Sequence, residues 1–208
     1  MAYGESIRMG HKVICFGRQF GSGGHELAVR TAAVLRLHVY EKEMAGIARK
    51  FGDVAMEVLE KADERATNPF LYRTVYEGNH HIARGAPTSE VLFALQSHEI
   101  ARIAQREDCI FVGRCADFVL QDTDARLLRI FVAAPFAQRV RRKMEQEHLT
   151  QGKAERLVQK MDHQRSAYYN HYAKGGWGEA AHYDLYLSMD TLTMEESTRR
   201  IVERFSSL

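Results

Sequence analysis

At 208 residues, with 45% hydrophobic and 27% charged side chains and three prolines, the chain has the composition of a globular protein and the length for one domain with a sizeable core. A formal net charge of +2 is too small to argue for a nucleic-acid partner, and no window approaches the roughly 18 apolar residues of a membrane span. Cys15, Cys109 and Cys115 are odd in number and widely spaced, which argues against a disulfide framework or a paired-cysteine metal site and favours a reducing cytoplasm.

The opening "MAYGESIRMG" lacks the apolar stretch of a signal peptide and predicts a short mobile tail over 1–10, leaving a single domain over 11–208. "KVICF" (12–16) predicts a buried strand, and 24–36 a helix with Leu27, Thr31, Val34 and Leu35 on one face. Between them stands "GRQFGSGGHEL" (17–27). A glycine-rich turn between strand and helix holds phosphate on backbone amides, and the usual pattern GxxxxGK[ST] adds a lysine that reaches the transferred group. With Gly23 on the second glycine of that pattern, Arg18 falls on the first, Gly24 on the lysine and His25 on the Ser/Thr. The strict pattern fails at three places. What survives is Gly21, Gly23 and Gly24, able to take the positive φ of an amide nest, with Ser22 among them and a helix N-terminus directly behind. The bland alternative is a strand–helix turn that binds nothing.

"HVYE" (38–41) predicts a short second strand, ending on Glu41. That carboxylate is placed to receive a substrate hydroxyl or organise a metal-bound water, or simply to open the next helix. A helical stretch follows over 42–64, then irregular chain over 65–87, then a helix capped by Thr88 or Ser89 and reaching Arg106. "CIFVG" (109–113) and "LLRIFVA" (127–133) predict fully buried strands. Arg114, immediately after the first of these, is placed to clamp a phosphate bidentately. Asp117, three residues on, either orients Arg114 or accepts a hydrogen bond from a base or sugar; a surface ion pair is the bland reading.

Residues 135–172 predict a long basic helical region interrupted near "LTQGK" (149–153). Between 139 and 174 there are nine Lys/Arg and only four Asp/Glu, a basic segment suited to a small polyanion or to a solvated helical face. Phe136, Val140 and Met144 mark the buried side of its first helix, with Arg139 and Arg142 sharing a side and Arg141 and Lys143 solvated. In the second helix Ala154, Leu157, Val158, Met161, Tyr168 and Tyr172 form an apolar stripe that also contains Arg165. An arginine in that stripe points inward at an anion or partner, and Asp162, one turn earlier, is placed to hold it. "YDLYLSM" (183–189) predicts the last strand, and Thr193 with Glu196 a capping box for a closing helix over 194–205.

Strands interleaved with helices imply an α/β fold, a five-stranded parallel sheet with helices on both faces. Ligands of such sheets sit outside the carboxyl ends of the strands, here the glycine loop, Glu41, Gly113–Arg114, Pro135 and Asp190. One phosphate-rich ligand site is the economical reading.

Several segments together resemble the cytidylate kinase-like family, a branch of the P-loop nucleoside monophosphate kinases. "GRQFGSGGHELA" is similar to its lysine-less phosphate loop, "VYEKEM" to its second-strand motif, and "IFVGRCADFVL" to its GR-x-AD segment. "IFVAAPFAQRVRRKM", "MDHQRSAYYNHY" and "GGWGEAAHYDLYLS" resemble its basic helix, lid helix and final strand, in the expected order over about residues 12 to 205. The resemblance implies a P-loop NTPase architecture with a monophosphate-binding excursion over about 42–106 and a helical lid over about 139–176. It also implies transfer of the ATP γ-phosphoryl to CMP or dCMP, with Mg²⁺, in a cytoplasmic enzyme whose partners are small-molecule nucleotides, not nucleic acid or membrane. The loop (Arg18, Gly21 to Glu26) would hold the donor phosphates. Arg114, Asp117 and Glu41 would hold the acceptor, while Arg139, Arg142 and Arg165, with Asp162, would close over the moving group. His25 stands where the family often has arginine and Glu41 where it has aspartate; Glu26 either coordinates Mg²⁺ or favours the helix N-terminus. Two rivals share the fold: a nucleotide-binding protein without transfer activity, and a kinase for another small acceptor.

Overall fold

The computed structural model describes residues 10–41 and 88–208; residues 1–9 of the expected tail over 1–10, the helix over 42–64 and the irregular chain over 65–87 lie outside the described residues. The chain divides into two units, Met1–Val39 with Ala104–Leu208, and Tyr40–Ile103. The described strands are β1 (Lys12–Arg18), β2 (His38–Tyr40), β3 (Cys109–Val112), β4 (Arg126–Ala133) and β5 (Leu185–Ser188). The helices are α1 (Gly24–Leu35), α2 (Thr88–Ala104), the single turn α3 (Ala116–Val119), α4 (Phe136–Glu147), α5 (Gln151–Ala173) and α6 (Met194–Ser206).

The strands form one five-stranded parallel sheet in the order β2-β3-β1-β4-β5. β1 is central, with Val13 opposite Cys109 on one side and Ile14 opposite Leu128 on the other. The strand sequences are continuous apolar runs because both faces are covered. On one face Ile14, Phe16, Ile110, Leu128, Ile130 and Leu187 pack against Leu27 and Ala28 of α1 and Ile201 and Phe205 of α6. On the other, Val13, Cys15, Cys109, Phe111 and Phe131 are each no more than 3% exposed. Phe131 there carries a cluster of rings, with Trp177 edge-on at 5.2 Å and Tyr183 at 5.0 Å.

Three local expectations need correction. Val34 is 58% exposed, although it lies close in angle to the buried Leu27, and the face of α1 toward the sheet is carried by Leu27, Ala28, Thr31 and Leu35. Phe136 is also exposed, its ring lying against the Arg139 guanidinium at 5.6 Å. Thr193 does cap α6, accepting the Glu196 N–H at 3.1 Å, but Glu196 turns its carboxylate to Arg200 at 2.7 Å instead of completing the box. The predicted interruption of the basic region is present, α4 closing on His148 with φ 52° and α5 opening after Thr150.

In the second unit, α2 spans Thr88–Ala104 and stops two residues short of the expected Arg106. Arg102 there grips Glu99 through Nε at 2.7 Å and Nη2 at 2.5 Å. Among the described residues no helix is long and apolar enough to cross a membrane.

Candidate active site

The glycine loop leaves β1 and enters α1 as a framework of backbone bonds. The Gln19 N–H donates to the Val132 carbonyl at 3.0 Å, and its side-chain oxygen accepts the Ala134 N–H at 3.0 Å, so one residue fastens the loop to the carboxyl end of β4. Ser22 is buried and its hydroxyl donates to the Gln19 carbonyl at 2.9 Å, closing the turn. Gly21 and Gly23 take φ of 79° and 88°, which only glycine does cheaply. Gly24 does not share that conformation. Its glycine is needed because a Cβ there would lie 2.6 Å from Cβ of Arg18. The first bond of α1 runs from the Leu27 N–H to the Gly23 carbonyl at 2.9 Å, so the N–H groups ahead of it head the helix, with the positive end of its dipole at the loop.

Phe20, inside the loop, binds it to α4 and α5. Its N–H donates to Asp162 at 2.7 Å, its carbonyl accepts from Arg139 Nη1 at 3.1 Å, and its ring packs with Val140, Ala154 and Val158. Lys143 Nζ stands 4.4 Å from the ring centre and the Arg165 guanidinium 5.3 Å. Lys143 is thus not the solvated residue expected: its side chain is 16% exposed and also pairs with Glu147 at 3.0 Å. Arg139 is 6% exposed. Its Nε donates to the Ala134 carbonyl at 2.9 Å and its Nη1 to Asp162 at 2.5 Å. The expected pairing of Asp162 with Arg165 is therefore replaced: both carboxylate oxygens serve Phe20 and Arg139, which approach from the loop and the neighbouring helix.

Two other arginines of the same helices reach the loop. Arg142 Nη2 donates to Glu26 at 2.5 Å, and its Nη1 lies 3.3 Å from where a Cβ at Gly23 would stand. Arg165 is half-buried and its Nη1 donates to the Arg18 carbonyl at 3.2 Å. Arg18 itself stretches from Gly24, where its Cβ packs, to Gly113, where its Nη1 occupies the space of a Cβ. Arg141 is exposed, and His25 is exposed in the first turn of α1.

Beyond β3, Gly113, Arg114 and Cys115 take φ of 79°, 59° and 53° in succession. For the two non-glycine residues this left-handed turn costs on the order of 1 kcal/mol each, strain of the kind functional sites store. Arg114 lies near Tyr168, whose phenol is pushed up to about 12 by burial. Asp117 is 9% exposed and accepts the Tyr169 hydroxyl at 2.7 Å. Burial raises its carboxyl above the usual value, against the lowering effect of the Tyr169 bond. The phenol of Tyr169 is raised by burial and by the Asp117 charge, and that of Tyr183 is pushed up to about 12 by burial. Tyr169 of α5 thus holds Asp117 of the GR-x-AD segment. Sequence reasoning placed Tyr168 in the stripe and passed over Tyr169, Gln19 and Phe20. The signal for Tyr169 was its neighbour, since half-buried tyrosines bring a hydroxyl that needs a partner. Glu41 directly follows β2 and belongs to the second unit.

Beside the loop lies an open cavity of about 350 Å³, with Gly21 and Ser22 on one side, Arg141 and Arg142 on another, and Leu192 and Met194 on a third. Among the described residues no group of three or more His, Cys, Asp or Glu is arranged to hold a metal. Glu26, in the first turn of α1, is taken by Arg142.

A parallel sheet that delivers a glycine loop to a helix N-terminus, beneath two arginine-bearing helices, is the P-loop kinase fold, and together with the family match the class is a kinase-type phosphotransferase. Over residues 13–191 the chain matches the family model described as "Cytidylate kinase-like family", and it belongs to that family. No curated protein matches it. Among solved structures it is similar to an uncharacterized protein from Eubacterium ventriosum ATCC 27560, at 23% identity and a TM-score of 0.69, over 95% of this chain and 100% of that one. It is also similar to TT1252 from Thermus thermophilus, at 15% identity and a TM-score of 0.53, over 95% and 97% of the two chains. Both likenesses are of fold.

Proposed function

We propose that the protein transfers the γ-phosphoryl group of ATP to a nucleoside monophosphate, CMP or dCMP, giving the diphosphate and ADP in the cytoplasm. The observation that carries this reading is the convergence of Arg142 and Arg165 on a loop that has no lysine, one against Gly23 and one on the Arg18 carbonyl. Phosphoryl transfer asks a protein chiefly for positioning and charge neutralisation. In this reading the N–H groups of the loop and of the first turn of α1 hold the donor phosphates, and the adjoining cavity takes the donor's ribose and base. Arg142 and Arg165 neutralise the moving group. Arg139 and Asp162 act by position, keeping the loop and the two helices in register. Arg114 takes the acceptor phosphate, with Asp117 and Tyr169 beside the nucleoside. Closure of α4 and α5 over the site excludes water and so suppresses hydrolysis of ATP.

Mg²⁺ commonly arrives on substrate phosphates with most of its waters, and no step is assigned to it here.

The test is ADP formation from ATP and Mg²⁺ with CMP, dCMP, UMP, AMP and no acceptor. Turnover that depends on a pyrimidine monophosphate supports the reading. Nucleotide binding without turnover on any acceptor would sink it and leave a nucleotide-binding module on a kinase fold.

A further inference from the structure

Building on the reading of the glycine loop as the donor-phosphate site, we propose that Glu26 is a positioning residue for Arg142. Its carboxylate holds the guanidinium over Gly23, so that a charge borne on α4 serves this loop where other loops carry a lysine of their own. Arginine brings a long side chain with many rotamers, and one that starts on a neighbouring helix is useful at the loop only if something there fixes it. The contact with Glu26, 2.5 Å from Nη2 to Oε2, does that from the first turn of α1. The opposite edge of the same guanidinium faces the loop, Nη1 and Cζ lying 3.3 and 3.5 Å from the point a Cβ would occupy at Gly23. Gly23 is therefore required twice, for its φ of 88° and for the space that Arg142 and Met194 fill.

The neighbours of Arg142 are disposed differently. Arg141 is exposed, and Lys143 pairs with Glu147 and lies over the Phe20 ring. Of the three successive cations only Arg142 has a carboxylate on α1. That same pairing weakens the competing role for Glu26, because a Mg²⁺ ligand needs a carboxylate not already committed to a guanidinium.

The experiment is a double-mutant cycle of Glu26→Gln and Arg142→Ala, with Glu26→Asp as the conservative variant and thermal unfolding as the check of folding. In the kinase assay Glu26→Gln is expected to lower kcat about five- to tenfold, with the acceptor KM unchanged, and Glu26→Asp to recover part of the loss. On the Arg142→Ala background the Glu26 change should move kcat by less than about twofold. The Mg²⁺ concentration for half-maximal rate should be the same in wild type and Glu26→Gln. Additive losses would overturn the proposal, and a Mg²⁺ requirement raised in Glu26→Gln whether or not Arg142 is present would overturn it in favour of a metal-ligand role for Glu26. The same cycle is run calorimetrically with ADP and Mg²⁺. If no acceptor is turned over but ADP binding shows the non-additive pattern, the positioning role stands and the kinase reading fails. Additive binding losses overturn the positioning role alone, and failure of the wild type to bind ADP overturns both.

Discussion

Replacing Asp162 by alanine isolates the joint between the phosphate loop and its two covering helices. The carboxylate accepts two bonds, from the Phe20 N–H at 2.7 Å and from Arg139 Nη1 at 2.5 Å, and the arginine it neutralises is almost fully covered. Removing one partner of a buried pair typically costs about 3–5 kcal/mol, because the other charge stays behind unpaired. Here Arg139 keeps the carbonyls of Ala134 and Phe20, and Asp162 is itself 18% exposed, so the low end, about 3 kcal/mol, is expected. For a chain of this size each kcal/mol moves the unfolding midpoint by about 2–4 °C, so Asp162→Ala should lose about 6–12 °C in a thermal melt followed by circular dichroism. The double replacement Asp162→Leu with Arg139→Met removes both charges and should recover most of that loss. A fall within about 2 °C for Asp162→Ala, or a double variant worse than the single, would refute the picture of a buried electrostatic joint.

Arg165→Met and Arg142→Met should each lower kcat by about 10²–10³-fold while leaving the unfolding midpoint within about 2 °C; a change confined to KM would show that neither acts on the moving charge. Asp117 has a carboxyl raised above its ordinary value of 3.8 by burial, so the native state binds its proton more tightly than the unfolded chain. The stability this group lends is complete below that ordinary value and is lost as pH rises through the raised one. The melting-point difference between Asp117→Asn and wild type should therefore shift in favour of the variant from pH 3 to pH 7, and a difference that is flat with pH contradicts the assignment. Cys109 and Cys115 are buried with thiols pushed up to about 12, and Cys15 is raised by the same cause. Native protein at pH 8 should resist iodoacetamide at all three positions until unfolded, as mass spectrometry would register; rapid labelling of any one would place it at the surface.

Fold and site were legible to different depths. The sheet could be read because its central strands are buried on both faces, so "KVICF", "CIFV" and "LLRIFVA" are apolar without alternation and locate themselves. The loop could be read because positive φ at Gly21 and Gly23 leaves glycine as the sequence mark of the geometry. Side-chain partners were harder. Asp162 stands one helical turn from Arg165, and local spacing favours that pair, but exposed pairs along one helix are worth only tenths of a kcal/mol. The stronger partner, Arg139, arrives from the neighbouring helix, 23 residues away, and nothing in local periodicity announces it. Gln19 and Phe20 are similar: their side chains act on β4 and on the α4–α5 pair, contacts that exist only once the chain has folded. Val34 shows the opposite failure, a position that helical periodicity puts beside Leu27 and that the folded chain leaves 58% exposed.

The embedding of Phe20 has a consequence for how the chain comes into being. Its N–H is tied to a carboxylate 142 residues further along, and its ring lies on a floor built from residues of α4 and α5. During synthesis the loop leaves the ribosome well before α5, and its support does not exist until Asp162 has been made. Contacts of such long sequence separation form late, after the loop-closure entropy between them has been overcome. A nascent chain that stops short of α5 thus carries the glycines without the shape, and the loop is complete only once α5 has been made and has docked.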